Sequence, residues 1–153
     1  MSKKTILAID LGTKTGFAIT INNTMTSGTI EFKPARFEGG GMRYLRFSRW
    51  LNEVRDAADG IDEVYFEEVR RHRGVDAAHA YGGFMSHLTA WCELNHIPYS
   101  GIPVGTIKKS CCGKGNGSKQ EVIAAVRSWG FSPKDDNEAD ALALLHYVLD
   151  EIA

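Results

Sequence analysis

The chain has little of what marks the more easily recognised classes of protein. No apolar run approaches the roughly 18 residues that a membrane helix needs, and MSKKT leads into a β-type run without a signal-peptide core. No membrane partner is expected, and the expected location is the cytosol. The three cysteines, Cys92 and the adjacent Cys111 and Cys112, lack the paired CxxC knuckles of a structural zinc site, and neighbouring cysteines rarely bridge each other. They read as reduced thiols: Cys92 in the core, and the pair beside Lys108, Lys109 and Lys114, a setting that lowers a thiol's pKa. Net charge is only −1, so no overall basicity announces a nucleic acid. The glycine-rich GKGNGS lacks the G-x4-G-K-[ST] spacing of a phosphate loop, and no nucleotide cofactor is expected.

What remains is an ordinary globular composition, 43% hydrophobic and 24% charged. At 153 residues it is the length of one domain, expected to span residues 1–153. Its charge is unevenly placed. From Gly105 to Gln120, GTIKKSCCGKGNGSKQ carries four lysines and no acid; in EEVRRHR, Glu67 and Glu68 precede Arg70, Arg71, His72 and Arg73. After Lys134 the chain turns acidic. Basic patches beside carboxylates suit an enzyme acting on a polyanion, the cations gripping phosphates while the acids hold a metal. Taken alone, each patch is equally a solvated loop.

The pattern along the chain predicts three β-rich runs, Thr5 to Asp10, Phe17 to Asn22 and Met25 to Phe32, with Asn22-Asn23 as a hairpin turn. Tyr44, Phe47, Leu51 and Val54 recur at helical spacing up to Gly60. DEVYFEEV (62–69) reads as a strand, Asp76 to Asn95 as a long helix and Ile97 to Val104 as a fifth strand. Residues 105–118 read as a basic loop. Ser118 with Glu121 signals the capping box of a helix to Trp129, and Asp135 with Glu138 a variant of it for a helix to about Ile152. This predicts an α/β protein with a mixed five-stranded sheet, three antiparallel N-terminal strands and two further parallel ones, flanked by helices.

Carboxylates occur where this pattern places strand ends: Asp10 after ILAI, and Glu67 and Glu68 after VYF. Asp136 and Asp140 lie in the last helix, and small Ala141 and Ala143 allow it close approach to the sheet. A carboxylate between Ile9 and Leu11 is costly to desolvate unless paired, hydrogen-bonded or bound to a cation. For Asp10 a simple turn-capping role stands beside a metal role. Alternation lets only one of the Glu pair face Asp10. Three or four hard oxygen ligands favour Mg²⁺ or Mn²⁺ over zinc, and two such ions about 4 Å apart serve phosphodiester hydrolysis.

LAIDLGTKTGFAI, VYFEEVRRHRG with the following AAHAYGGF, the lysine loop ending in GNGSK, and NEADALAL together resemble the RuvC-type Holliday-junction resolvases, especially compact phage-associated members. The likeness covers nearly the whole chain in the same order. It implies a ribonuclease-H-like fold, a homodimer and symmetric nicking of four-way or otherwise branched DNA with two Mg²⁺ ions per site, Mn²⁺ substituting, in a bacterial or phage-infected host cell. Carried over position by position, Asp10, Glu67 and Asp140 are the implied catalytic and metal-binding acids, while Lys108 and Lys119 contact phosphates, Lys119 also in a catalytic role. Two positions depart from the family's pattern. Asn137 stands where the family has Asp or His as a fourth metal residue, with Asp136 as its substitute from the same helix. Arg70 stands where the best-known members carry an aromatic wedge. Arg70, Arg71, His72, Arg73, Lys108, Lys109, Lys114 and Lys119 are the implied DNA contacts.

Other classes fit parts of the sequence. DLGTKTG also resembles the first phosphate loop of sugar-kinase and actin-type ATPases, which need a second such domain that this length does not hold. A junction-binding module without catalysis, or a nuclease for flaps and bubbles, remains open beside the resolvase. Tyr81, Phe84, Met85, Leu88 and Trp91 read as core, and Tyr81-Gly82-Gly83 as a place where two helices of a dimer approach closely.

Overall fold

The structure, a computed structural model, describes residues 3–72 and 74–152. Strands β1 (Ile6–Asp10), β2 (Lys14–Ile21) and β3 (Thr24–Glu31) form an antiparallel meander. Helix α1 (Gly41–Ala57) returns the chain to β4 (Glu63–Glu68), and α2 (Val75–Leu94) to β5 (Tyr99–Pro103). Three helices follow: α3 (Val104–Cys112), α4 (Lys119–Ser128) and α5 (Asp136–Glu151). The sheet order is β3-β2-β1-β4-β5, with β1, β4 and β5 parallel, as the expected mixed five-stranded sheet requires. No helix among the described residues is long and apolar enough to cross a membrane.

The central strand explains the two-layer covering. Ile6, Leu7, Ala8 and Ile9 are all buried, so β1 is apolar on both faces and needs helices on both. On one face Leu7 and Ile9 meet Phe47, Trp50 and Leu51 of α1 and Phe84, Leu88 and Trp91 of α2. On the other, Ile6, Ala8 and Ala18 meet Leu142, Leu145 and Val148 of α5 with Val122 and Val126 of α4. Asn22 and Asn23, with φ of 51° and 66°, make the left-handed turn that joins β2 to β3.

Two local expectations change. The expected basic loop begins as a helix, α3, docked through buried Ile107 and closed by Gly113 in the left-handed region. Nine residues with a single buried anchor leave too short a periodic signal beside two lysines and two cysteines. At α5 only half of the capping box forms. Asp135 accepts from the Glu138 amide at 2.9 Å, but the Glu138 carboxylate turns to the Lys134 amide at 2.9 Å and the Ser27 hydroxyl at 2.7 Å. Thr29 donates to Asp135 at 2.7 Å. The start of α5 is thus tied to β3 at two points.

That tie presses α5 onto β2. A β-carbon at Gly16 would lie 1.9 Å from the backbone oxygen of Asn137, a separation that backbone cannot accept. Gly16 is also the cross-strand partner of Asp10. Gly16→Ala is expected to lower stability by about 3 kcal/mol or more, as overpacking against backbone does. Gly39→Ala, with nothing within 4 Å, serves as the neutral control. Thermal denaturation of the two variants checks this; equal melting temperatures would contradict the contact.

Candidate active site

Strand parity and register assemble the site. Ile6 and Ala8 face α5, so Asp10, two residues on, faces it as well. Ala8 pairs with Tyr65 and Ile9 with Phe66, which brings Glu67 beside Asp10 on the same face. Asp140 descends from α5, one turn beyond the contact at Gly16. One carboxylate oxygen from each of Asp10, Glu67 and Asp140 lies within 4.8 Å of the others. Glu68 points to the opposite face and pairs with Arg70 at 3.1 Å.

The three acids disfavour one another's ionisation. Burial, then the neighbouring charges of Glu67 and Asp140, pushes the Asp10 carboxyl well above its ordinary range. Burial followed by Glu67 and Asp136 pushes Asp140 up to about 7, against relief from Lys108 and Lys119. Glu67 is raised by burial and eased by Lys108. Packed hard oxygens whose charges repel are the donor set that a divalent oxophilic cation satisfies, so these residues fit the implied metal.

The cations fall into two groups. Lys108 on α3 lines the same cleft as Glu67 and Asp140. Lys119, first residue of α4, stands 3.4 Å from Asp136 and acts on Asp140 through space. Asp136 is therefore engaged with a lysine and lies outside the three-acid cluster; the Asn137 backbone is the part of α5 that meets Gly16. Lys109 is exposed, and Lys114 pairs with Glu121 at 3.3 Å, away from the acids. Arg70 and Arg71 are exposed and line an open cleft of about 350 Å³ with Val104 and Gly105. His72 packs on the Tyr81 ring, centroids 4.8 Å apart. Arg73 lies outside the described residues.

Tyr81 does more than fill the core. Its hydroxyl donates to the Glu67 carbonyl at 2.8 Å and accepts from the Val69 amide at 3.1 Å, pinning the backbone on both sides of Glu68. A tyrosine on an otherwise apolar helix face needs a partner for its hydroxyl, and that was the available signal. Gly83 is likewise used within the chain: a β-carbon there would lie 2.4 Å from the Tyr44 ring, so the close approach it permits is between α2 and α1. Cys111 is not activated by the neighbouring lysines. Burial pushes the Cys111 thiol up to about 12, and the two sulfurs sit 3.2 Å apart without a bridge.

No protein-family model matches the chain, and no curated protein matches it in sequence. Solved structures do. The Thermus thermophilus RuvC structure aligns with a TM-score of 0.74 and 21% identity over 95% of this chain and 96% of that one. The chain has the RuvC fold. T. thermophilus RuvC in complex with Holliday junction substrate gives the same TM-score, 0.74, at 22% identity over 92% of this chain and 90% of that one. The yeast mitochondrial Holliday junction resolvase Ydc2 aligns at 0.56 with 11% identity, over 95% of this chain and 80% of that one. The ribonuclease-H-like architecture expected from the sequence is thus the one that forms.

Raised carboxylates carry a signed consequence. An acid whose folded pKa exceeds its unfolded value contributes stability that is complete below the unfolded value and is lost as pH rises through the folded one. For Asp140 that window runs from 3.8 to about 7. In chelator the protein should therefore melt higher at pH 5.5 than at pH 8. The acids held low by basic or hydrogen-bonding partners, Glu38, Glu63 and Glu121, lose their contribution only as pH falls below 4.5, outside the comparison of pH 5.5 with pH 8. Asp140→Asn should raise the melting temperature at pH 8 by about 4 °C, a gain of ~1–2 kcal/mol in a domain of this size, and flatten the pH slope. A wild-type melting temperature that falls between pH 8 and pH 5.5 would reject the assignment. Tyr81→Phe should cost about 1 kcal/mol in denaturant unfolding, the net worth of its lost hydroxyl contacts.

Proposed function

We propose that the chain is a divalent-metal-dependent endodeoxyribonuclease that resolves four-way DNA junctions by paired phosphodiester hydrolysis. The observation that carries this reading is the convergence of Asp10, Glu67 and Asp140 within 4.8 Å, flanked by Lys108 and Lys119. It is supported by the shared fold with RuvC, one of whose structures holds a Holliday junction substrate. A pure binding protein gains nothing from three acids facing DNA, because without a cation they repel phosphate.

Asp10, Glu67 and Asp140 would hold Mg²⁺, with Mn²⁺ substituting and two ions at the site; Asn137, three residues before Asp140 on α5, is the candidate for a fourth oxygen. The bound ions supply activation of water and charge stabilisation at the leaving oxygen. The chain's own groups do the rest. Lys108 and Lys119 neutralise the scissile phosphate as charge develops on it, from helices that fix their positions before DNA arrives. Asp140, whose carboxyl is pushed up to about 7 without a cation, would give its proton up to hold a metal, so metal affinity would rise with pH through neutrality. Arg70 and Arg71 grip the backbone of an adjoining arm along their cleft. A second copy of the chain supplies the second site for paired cuts.

Arg70 in place of an aromatic wedge favours one further reading, a nuclease that also accepts flaps and bubbles, since a guanidinium stacks and grips without a fixed base preference. The test is cleavage of a synthetic four-way junction, a flap and a linear duplex with Mg²⁺ or chelator. Symmetric metal-dependent nicks in the junction are expected, with Asp10→Asn binding the junction but not cutting it. Equal cutting of flaps would widen the assignment; full activity of Asp10→Asn would remove it.

A further inference from the structure

Phe37, in the loop between β3 and α1, is 94% exposed, and its backbone φ is 72°. A bulky side chain in the left-handed region costs about 1–2 kcal/mol, which is why glycine or asparagine is usual there. Three glycines, Gly39 to Gly41, follow after Glu38, yet the strained place belongs to the phenylalanine.

The loop around it is built, not slack. The Ala35 amide donates to the Glu38 carboxylate at 2.6 Å, and the Glu38 amide to the Ala35 carbonyl at 3.0 Å. From α1, Arg46 donates to both Glu38 oxygens, at 2.7 and 2.5 Å. Arg36 lies 5.2 Å from the Phe37 ring centroid. An aromatic ring is thus presented to solvent on a braced turn, with a guanidinium over one of its faces.

Topology puts this turn on the rim of the acidic site. β3 runs in the direction of β1, so its loop leaves the sheet at the end where Asp10 and Glu67 stand. The Phe32 amide donates to the Thr13 carbonyl at 2.7 Å, tying the root of the loop to the turn that follows Asp10. Exposed Lys14 and Lys33 flank that root.

We propose that Phe37 is a stacking platform for an unpaired nucleobase of the DNA substrate, with Arg36 and Lys33 on the neighbouring phosphates. One isolated ring among cations is too little apolar area for a protein interface, whereas it matches a base face with phosphates beside it. The inference rests on the branched-DNA reading of the acidic site and adds a base contact that Arg70 does not supply.

The experiment uses the full chain in an Asp10→Asn background, with a four-way junction, a single-stranded oligonucleotide and a linear duplex. Phe37→Ala should weaken junction binding about tenfold, the lower part of what one stacked base is worth, with little effect on duplex. Phe37→Trp should restore binding, and its exposed indole should be quenched by junction. Junction affinity unchanged in Phe37→Ala, or a Phe37→Trp emission that no DNA alters, would overturn the proposal. So would a loss of self-association in Phe37→Ala with DNA affinity intact, which would make the loop a subunit contact. If junction does not bind while the single strand quenches Phe37→Trp, the junction reading fails and the stacking platform stands.

Discussion

The site depends on a side chain that is not there. Asp10 pairs across the ladder with Gly16, and over Gly16 lies the backbone of Asn137, closer than any β-carbon would permit. Only that contact lets α5 reach the sheet low enough for Asp140 to share a cluster with Asp10 and Glu67. The hydrogen bonds from Ser27 and Thr29 to Glu138 and Asp135 hold the helix end down on β3. Four polar groups and one glycine therefore do for the acidic centre what a salt bridge does elsewhere, and they do it from outside the cluster.

The scaffold works against the electrostatics of what it holds. Burial raises all three acids and neighbouring carboxylates raise Asp10 and Asp140 further, while Lys108 opposes this at Glu67 and Asp140 and Lys119 at Asp140. Sheet register fixes Asp10 and Glu67 side by side, so neither relaxes away without breaking a ladder buried on both faces. Tyr81 adds a clamp on the Glu67 backbone from the α2 side. A cluster that its own fold forbids to separate is preorganised for cations, because the reorganisation that free carboxylates would need has been removed in advance.

How much of this was legible follows from period and range. The strand ending in Asp10, the strand ending in the glutamate pair and the small-residue helix with Asp140 are strong local patterns, and two-residue alternation already limited the Glu pair to one inward member. The mixed character of the sheet was legible, an antiparallel meander followed by helix-linked parallel strands, while the order that sets β4 beside β1 was only a condition for the acids to meet. What lay hidden depended on partners distant in sequence. α3 is too short for periodicity to announce it, and Ile107 is its only buried anchor. Glu138 reads as a local cap, but its carboxylate crosses to Ser27, 111 residues away. Lys114 and Lys119 look alike in the basic stretch; helix placement pairs one with Glu121 and the other with Asp136 beside the acids.

The two faces of the sheet divide the labour at a single rim. On the α5 face lie the acids with Lys108 and Lys119, all fixed by strands and helices; the β3–α1 and β4–α2 loops supply Arg36, Lys33, Arg70 and Arg71 along the same end. Acids are interleaved with these cations: Glu38 pairs with Arg46, Glu68 with Arg70, and Glu31 stands opposite Lys14 at the end of β3. The densest negative charge is the buried cluster at the centre of that end, where a divalent cation would reverse the sign. On the proposed reading, binding and cutting are separable: the surrounding cations would act on phosphates without the metal, and the centre would attract phosphate only with it.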